Sequence, residues 1–461
     1  MSNATFLMPD PATAASSADE RTPMSAWYSL FVLTIVTLIA FIDRNILLLQ
    51  AEVIRKAMDL SDVQLGLLQG TAVAAFTALA TFPLGWLADR FDRRLVLGGC
   101  ALFWSAAVLS CGLAQTYEQL LLSSALVGAG EAGLVPIAYA MIPDMFGEKK
   151  RQMANSVFAL ASMSASSLAM ALCGQVIGLV DVVRPSLPLT LQVLESWRLG
   201  FFAVALPAPL LVLMIATISL RRKTPLAAAQ AAADAPKKTP LSALIPHLKE
   251  NRKTFVYFTS GLFSALFGFS AIGSWLAVIY LRNHGVSAKQ LGAALGGIAL
   301  VAVLIGFPLS VYGTRYFRNR IGTGVNIRSL WLTCVFAVVA IGAMVFATNA
   351  NQMFAIHGAY LVLLTSALLV YPTTLQALAP GHLRARTVAI VGMIASAGGA
   401  IAPPVTGFVS DQFKDVSNGL MLSAAMVSIP ALMLAVFLLS RCEKHYVLTA
   451  EAVRKIDAEQ A

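Results

Sequence analysis

Three ionisable side chains inside long apolar stretches are the residues of this chain most suited to chemistry. Asp43 and Arg44 interrupt "TLIAFIDRNILLLQ", and Glu131 interrupts "LVGAGEAGLV". A charge at the centre of a membrane helix costs roughly 2.5–3.5 kcal/mol on insertion scales, so its presence indicates a functional site. Two carboxyl groups and one guanidinium are suited to proton transfer and to recognition of a charged solute.

The direction of each side chain follows from helix geometry. Neighbouring residues on a helix diverge by about 100°, so Asp43 and Arg44 do not point to one place. We predict that Arg44 faces a central cavity and pairs with Glu131, while Asp43 faces a neighbouring helix. One guanidinium balances one carboxylate only. The other carboxyl lies in a low dielectric, which favours its neutral form and suits a proton-coupled carrier.

Each of these three residues also has a purely structural interpretation, and the sequence leaves it open. Asp43 would lie near the outer end of its helix and reach water. Arg44 would extend along the helix to the membrane surface. Glu131 would form only a hydrogen bond between helices.

The composition places the chain among integral membrane proteins. It is 58% hydrophobic and 12% charged, whereas soluble proteins are about 45–50% apolar and about 25% charged. The net charge of +10 lies in short clusters between apolar runs, so we expect no nucleic-acid partner. The cysteines lack metal or disulfide spacing, and we interpret them as packing residues. They are Cys100, Cys111, Cys173, Cys334 and Cys442.

Twelve apolar runs are long enough to cross a bilayer, which needs roughly 20 residues per helix. They lie at about 27–49, 63–87, 94–114, 118–142, 152–179, 197–220, 254–281, 288–313, 327–347, 352–378, 386–412 and 418–440. A polar linker at 221–253 divides them into bundles of six, 27–220 and 254–440. Residues 1–26 and 441–461 are predicted to be cytoplasmic tails, the first of them disordered.

The distribution of basic residues predicts the orientation. With both termini in the cytoplasm, 25 of the 33 Lys and Arg residues lie on the cytoplasmic side and 7 on the other. Cytoplasmic loops carry an excess of Lys and Arg. We therefore predict a multi-pass protein of the cytoplasmic membrane.

The two halves repeat a local pattern. "IPDMFGEKKRQMANS" in the first half and "LAPGHLRARTVAI" in the second each end a span at a proline and continue through a short basic loop. The helices that follow are rich in Gly, Ala and Ser, which permits close helix packing in a membrane. Two parallel six-helix halves are typical of transporters whose halves rock against each other.

A possible gate lies between spans 2 and 3, in "GWLADRFDRR". Gly85 is predicted to allow close approach of two helices. Asp89 is expected to accept from a helix N-terminus or an arginine, and Arg90, Arg93 and Arg94 occupy a short turn. A positive-inside cluster accounts for the arginines but not for the glycine and the acid.

This segment resembles the signature loop of the major facilitator superfamily, with a degenerate second copy, "SVYGTRYFRNR". Further segments resemble the spinster-like group within it: "FIDRNILLL", "SDVQLGLLQG", "LVGAGEAGLVPIAYAMIPDMF" and Trp197-Arg198. The resemblance implies an all-α fold of twelve membrane helices in two halves. The group usually has an arginine seven residues before the glutamate. Here Ser124 occupies that position, which removes a counter-charge and puts the group's coupling scheme in doubt.

The second half offers apolar, aromatic and hydroxyl side chains to a solute. Ser274, Trp275 and Tyr371 are the candidates for a cavity wall, although packing explains each of them as well. An arginine opposite an apolar wall suits an amphipathic anion with a carboxylate or phosphate head. Resemblance to the spinster-like group implies lysolipids or sphingoid phosphates as solutes.

The predicted function is therefore secondary transport of a small organic or amphipathic anion, coupled to protons. An uncoupled facilitator of an organic acid or drug-like solute is the alternative, and a non-transporting sensor is less favoured. The sequence has no P-loop, zinc-protease motif or nucleophile elbow, so we expect no enzyme, metal or cofactor. A monomer in the lipid bilayer is expected.

Overall fold

The computed structural model of the protein describes residues 24–220 and 244–459, and these residues form helices and short connections without a strand. Most of the expected N-terminal tail and of the expected linker at 221–253 lies outside the described residues. The part of that linker that is described contains a short helix, Leu244–Glu250.

Eleven described segments are long and apolar enough to cross a membrane, and one of them contains two crossings. Ala288–Val345 has 58 residues, which as one straight helix would be ~87 Å long, about three times the hydrocarbon thickness. Gly322, with φ of 71°, divides it into Ala288–Ile321 and Val325–Val345. The predicted all-α membrane fold with twelve crossings is confirmed.

We number these crossings as spans 1 to 12. Spans 1 to 6 are Met24–Ala57, Asp62–Arg90, Arg93–Leu113, Tyr117–Met145, Lys150–Ser186 and Ser196–Ala216. Spans 7 to 12 are Arg252–His284, Ala288–Ile321, Val325–Val345, Ala350–Gln376, Gly381–Gln412 and Gly419–Ala458.

Helix packing within one half repeats in the other. Span 5 packs on span 1 as span 11 packs on span 7, and span 4 packs on span 2 as span 10 packs on span 8. Span 3 contacts spans 4 and 6, and span 9 contacts spans 10 and 12. Each half is therefore a six-helix unit with repeated packing. Trp104 and Phe158 lie in a core within the first half and Phe258 in a core within the second, whereas Trp197 and Trp275 belong to a core that both halves share.

The halves meet at one end of the molecule. The described residues begin at Met24 and end at Glu459 at one end of the molecule, called here the terminal end, and the opposite end is called the far end. Span 5 contacts span 8 where a Cβ on Gly292 would lie 2.8 Å from the Cα of Gly174. Span 11 contacts the start of span 2, where a Cβ on Gly407 would lie 2.3 Å from the backbone carbonyl oxygen of Asp62. Small residues thus let the halves touch at the far end.

The halves are apart at the terminal end. A Cβ on Gly85 or on Gly313 would meet nothing within 4 Å, and Phe82 of span 2 is 88% exposed. The expectation that Gly85 allows close approach of two helices is therefore wrong for this conformation, because the second half does not reach span 2 there.

Span 12 differs from its predicted boundary. Its helix continues from Gly419 to Glu459, whereas residues 441–461 were expected to form a tail. The continuation packs on the second half: Tyr446 is buried, and Asp457 accepts from the backbone N–H of Gly381 at 3.0 Å and from Arg384 at 2.7 Å. Tertiary contacts thus hold a polar segment in helical form.

Candidate functional site

Arg44 and Glu131 lie at the same depth because of where their helices begin and end. Arg44 lies 13 residues before the end of span 1 at Ala57, and Glu131 lies 14 residues after Tyr117 at the start of span 4. Both therefore lie about 20 Å from the far end of their helices, at a rise of about 1.5 Å per residue. This depth is within the hydrocarbon region of a bilayer.

The two residues form an ion pair in which only the arginine is accessible. Arg44 Nη2 lies 2.9 Å from Glu131 Oε2, and the side chains are 51% and 6% exposed. The second carboxylate oxygen, Oε1, is buried without a hydrogen bond from the described residues. The structure thus contains the pair that the sequence predicts, with the guanidinium on the open side.

Small residues around Glu131 bring span 4 close to its neighbours. A Cβ on Gly128 would lie 2.7 Å from the carbonyl oxygen of Val73 in span 2. A Cβ on Gly130 would lie 2.7 Å from the Cβ of Trp104 in span 3. The helix of span 4 is interrupted after Glu131 and resumes at Leu134. The carboxylate therefore lies at a break in a tightly packed helix.

Asp43 points away from Arg44 into the protein, as predicted. The residue is 3% exposed, and its Oδ2 accepts a hydrogen bond from Trp104 Nε1 at 3.1 Å. Oδ1 is buried and has no hydrogen bond from the described part of the chain. Burial at this depth does not fit the interpretation in which Asp43 reaches water at the helix end.

The cluster holds one more negative than positive charge when all three side chains are ionised. Asp43 and the segment of span 4 that carries Glu131 both contact Trp104: Asp43 accepts from its Nε1, and Gly130 lies against its Cβ. Among the described residues, Arg44 is the base that forms an ion pair with this cluster. Ser124, where the spinster-like group has an arginine, donates to the carbonyl oxygen of Leu121 at 3.0 Å. The excess negative charge is therefore not offset at that position.

The predicted gate loop is only partly engaged. Arg93 Nη1 donates to Asp144 Oδ2 at 2.5 Å and to the carbonyl oxygen of Ala140 at 2.6 Å, which ties span 3 to span 4. Arg94 bonds Asp92 at 2.7 Å, and this hydrogen bond holds the pKa of the Asp92 carboxyl below its usual range.

The other two polar residues of that loop face solvent. Arg90 lies over the ring of Trp86, 4.2 Å from its centroid. Asp89 is exposed and makes no hydrogen bond or ion pair within the described ranges. The expectation that Asp89 accepts from a helix N-terminus or an arginine is wrong for this conformation, because the halves are apart at the terminal end.

The predicted second-half wall residues serve mainly in packing. Trp275 is fully buried, and its Nε1 donates to the carbonyl oxygen of Pro403 at 3.1 Å. The hydroxyl of Ser274 donates to the backbone carbonyl oxygen of Ser270 in the same span at 2.8 Å. Tyr371 is half-buried, and its hydroxyl lies 3.6 Å from where a Cβ on Gly392 would be. Trp275 is thus a link between spans 7 and 11 rather than a cavity residue.

Sequence reasoning missed an ion-pair network that joins the halves at the far end, called here the far-end lock. Arg282 of span 7 donates to both carboxylate oxygens of Asp62 at 2.8 and 2.9 Å and to Glu52 at 2.9 Å. Ser410 donates to Asp62 at 2.7 Å, and Asp411 accepts from the backbone of Asp62 at 3.1 Å.

The signal for this lock was present in the sequence. Acids at the far ends of spans 1 and 2 lie at the same depth as a base at the far end of span 7 in the other half. Arg282 is one of the seven bases that the predicted orientation places outside the cytoplasm.

Two six-helix halves that meet at one end, with an intramembrane ion pair in the first half, are the architecture of a membrane transporter. The chain belongs to the Major Facilitator Superfamily, whose family model matches residues 33–381. It is thus a multi-pass membrane protein of a transporter family rather than of an enzyme family.

Individual relatives place the chain near the spinster-like group. It is 24% identical to an "MFS-type efflux pump" of Mycolicibacterium smegmatis, over 92% of this chain and 94% of that protein. It is 24% identical to "Protein spinster" of Drosophila melanogaster, over 74% of this chain and 54% of that protein. The chain thus spans about half the length of the Drosophila protein. It is 38% identical to the "Sphingosine-1-phosphate transporter SPNS2" of Danio rerio, over 25% of this chain and 23% of that protein.

A solved structure shares the fold. A bacterial homolog of the human lysosomal transporter Spinster, described as inward-facing and unoccupied, matches with a TM-score of 0.73 at 23% identity. The match covers 94% of this chain and 98% of that one. The resemblance to the spinster-like group is confirmed, and the comparisons support transport of an organic solute.

Proposed function

We propose that the protein carries an amphipathic organic anion by alternating access and that transport is coupled to a proton. The observation that carries the proposal is the ion pair between Arg44 and Glu131, which is accessible on the arginine side and buried on the glutamate side. A half-exposed guanidinium at mid-membrane is stable when it faces a water-filled cleft rather than acyl chains.

The anion is expected to bind Arg44. A guanidinium presents several N–H groups in a plane, which matches the geometry of a carboxylate or a phosphate. Within residues 244–459, the second half has no charged residue at this depth and is proposed to supply an apolar surface for the remainder of the solute. The name of the Danio rerio relative, a sphingosine-1-phosphate transporter, agrees with a lipid-like anion.

Coupling follows from competition for a single arginine. When an anion binds the guanidinium of Arg44, Glu131 loses part of its counter-charge while it remains buried. An unpaired buried carboxylate is costly, and uptake of a proton removes that cost. We therefore propose that each anion binds together with a proton, which is then carried in the same direction.

The terminal end is proposed to face the cytoplasm, in agreement with the excess of basic residues there. The cleft then opens to the cytoplasm in this conformation, and the far-end lock closes the other side. The solved relative described as inward-facing agrees with this assignment.

An uncoupled facilitator of an organic acid or drug-like solute is the second candidate. The hydrogen bond from Trp104 to Asp43 favours it, because it satisfies part of the second carboxylate without a proton. In that case Arg44 recognises the solute and neither carboxyl group titrates during transport.

Binding to purified protein tests the role of Arg44. Lysophosphatidic acid and a monoacylglycerol of equal chain length are compared by their effect on the thermal unfolding midpoint. We expect the anionic lipid to stabilise the wild type and Arg252→Gln, a variant at an exposed base of span 7, but not Arg44→Gln. Equal stabilisation of all three proteins would contradict an anion site at Arg44.

A further inference from the structure

Residues 184–195 comprise the last turn of span 5 and its connection to span 6, and they are called here the 184–195 loop. Large apolar side chains of this loop are exposed. Leu189 and Val193 are 79% and 83% exposed. These are large apolar residues on a connection, where water-facing segments usually carry polar side chains. The loop therefore presents an apolar face to its surroundings.

Gln192 and Arg184 form hydrogen bonds inside this loop, whereas Thr190 is exposed. Gln192 Nε2 donates to the carbonyl oxygens of Pro185 at 3.0 Å and Leu187 at 2.7 Å. Arg184 Nη2 donates to the carbonyl oxygen of Gln192 at 3.0 Å. Backbone carbonyls that solvent would otherwise satisfy are thus satisfied internally, as an apolar environment requires.

The depth of the loop is set by span 6, which begins where the loop ends. Ser196–Ala216 has 21 residues, which corresponds to ~31 Å and matches the hydrocarbon thickness of a bilayer. Ser196 therefore lies at the boundary between the hydrocarbon and the headgroups. Directly before the loop in the chain, the end of span 5 exposes Leu179 and Val182, with Asp181 exposed between them.

We propose that the 184–195 loop is a lipid-binding anchor that inserts Leu189 and Val193 into the leaflet at the far end. Charge agrees with this partner, because the carboxylate at the end of the loop is paired with a base of the protein although it is half exposed. Glu195 accepts from Trp197 at 2.7 Å and from Arg198 at 3.3 Å. The partner is the phospholipid leaflet, since the apolar face directly follows exposed apolar side chains of a membrane-spanning helix.

The anchor also bears on transport. Span 5, which the loop follows, contacts span 8 of the other half at Gly174 and Gly178. A loop held in the leaflet keeps this end of span 5 at a fixed depth while the halves separate.

Spin labels on introduced cysteines test the anchor in phosphatidylcholine nanodiscs. The five native cysteines are buried, so labelling is restricted to the introduced site. Leu189→Cys and Val193→Cys are compared with Val182→Cys as a lipid-facing reference and Ser417→Cys as a reference in an exposed polar loop at the same end. The readouts are collision with oxygen, which concentrates in lipid, and with a water-soluble nickel complex.

We expect both loop labels to match Val182→Cys, with frequent oxygen collisions and protection from nickel. Nickel collisions equal to those at Ser417→Cys would overturn the proposal. Protection that persists in detergent together with a doubled particle mass would overturn it too, because a second protein copy would then be the partner.

Discussion

At the scale of single residues, the account depends on one accessible arginine beside two buried carboxyl groups. Helix geometry predicted that Asp43 and Arg44 diverge, and the small residues around Glu131 favoured its pairing with Arg44. Trp104 as the donor to Asp43 was not predictable, because it is distant in sequence and its neighbourhood is set by packing of span 3 on spans 1 and 4. The charges of the far-end lock were visible at helix ends, but which of them meet depends on a conformation in which the halves are closed there.

Replacement of Arg44 by lysine tests the geometry of anion recognition. Lysine keeps the charge but loses the planar set of donors. We expect the dissociation constant for lysophosphatidic acid to rise about tenfold, which is a loss of about 1.4 kcal/mol. Titration calorimetry with purified protein measures this change. Unchanged affinity would mean that charge alone recognises the solute.

Trp104→Phe tests the hydrogen bond to Asp43. The change leaves both oxygens of a buried carboxyl without a donor, which costs about 1–3 kcal/mol. We expect a lower thermal unfolding midpoint, whereas Trp86→Phe, at an exposed ring at the terminal end, leaves it unchanged. Equal midpoints for Trp104→Phe and wild type would show that the bond contributes nothing.

At the scale of helices, small residues determine where the halves touch. The Gly-rich and Ala-rich pattern of spans 5 and 11 predicted close packing, and these spans do form the contacts at the far end. The continuation of span 12 to Glu459 was not predictable from hydropathy. That segment is polar, and its helix is held by contacts such as Asp457 with Gly381 that depend on the folded second half.

Gly407→Ala is expected to open the far end. Its Cβ would lie 2.3 Å from the backbone oxygen of Asp62, so spans 2 and 11 must separate. The reporter is Ser410→Cys, which is buried at the contact between the halves. We expect faster labelling by a water-soluble maleimide in Gly407→Ala than in Gly313→Ala, whose Cβ meets nothing within 4 Å. Equal labelling rates would argue against a seal formed by this contact.

At the scale of the whole molecule, each half is a unit with repeated internal packing, and the far-end lock joins the two units. Rocking of the halves would break the lock and bring the terminal ends together, where Gly85 and Asp89 now have no partner in the second half. The twelve crossings and the two halves were predictable from apolar length and internal repetition. The conformation was not, because both states have the same hydrophobic pattern.

Arg282→Gln tests the lock. The change removes the ion pairs that join the second half to Glu52 and Asp62 of the first half, while Arg55 remains beside both acids within the first half. The contact between the halves is therefore weakened at the far end. We expect a longer mean distance between spin labels on the far ends of spans 2 and 8, measured by pulsed electron resonance. Arg320→Gln, an exposed base at the terminal end, serves as the control. An unchanged distance would show that the lock does not hold this conformation.

Proton movement tests the central claim most directly. Protein is reconstituted in liposomes that contain a pH-sensitive dye, and lysophosphatidic acid is added outside. We expect acidification with the wild type and with Glu118→Gln, a variant at an exposed acid of the same span, and none with Glu131→Gln. If the solute is taken up but none of the three proteins produces acidification, proton coupling is contradicted and the uncoupled facilitator remains.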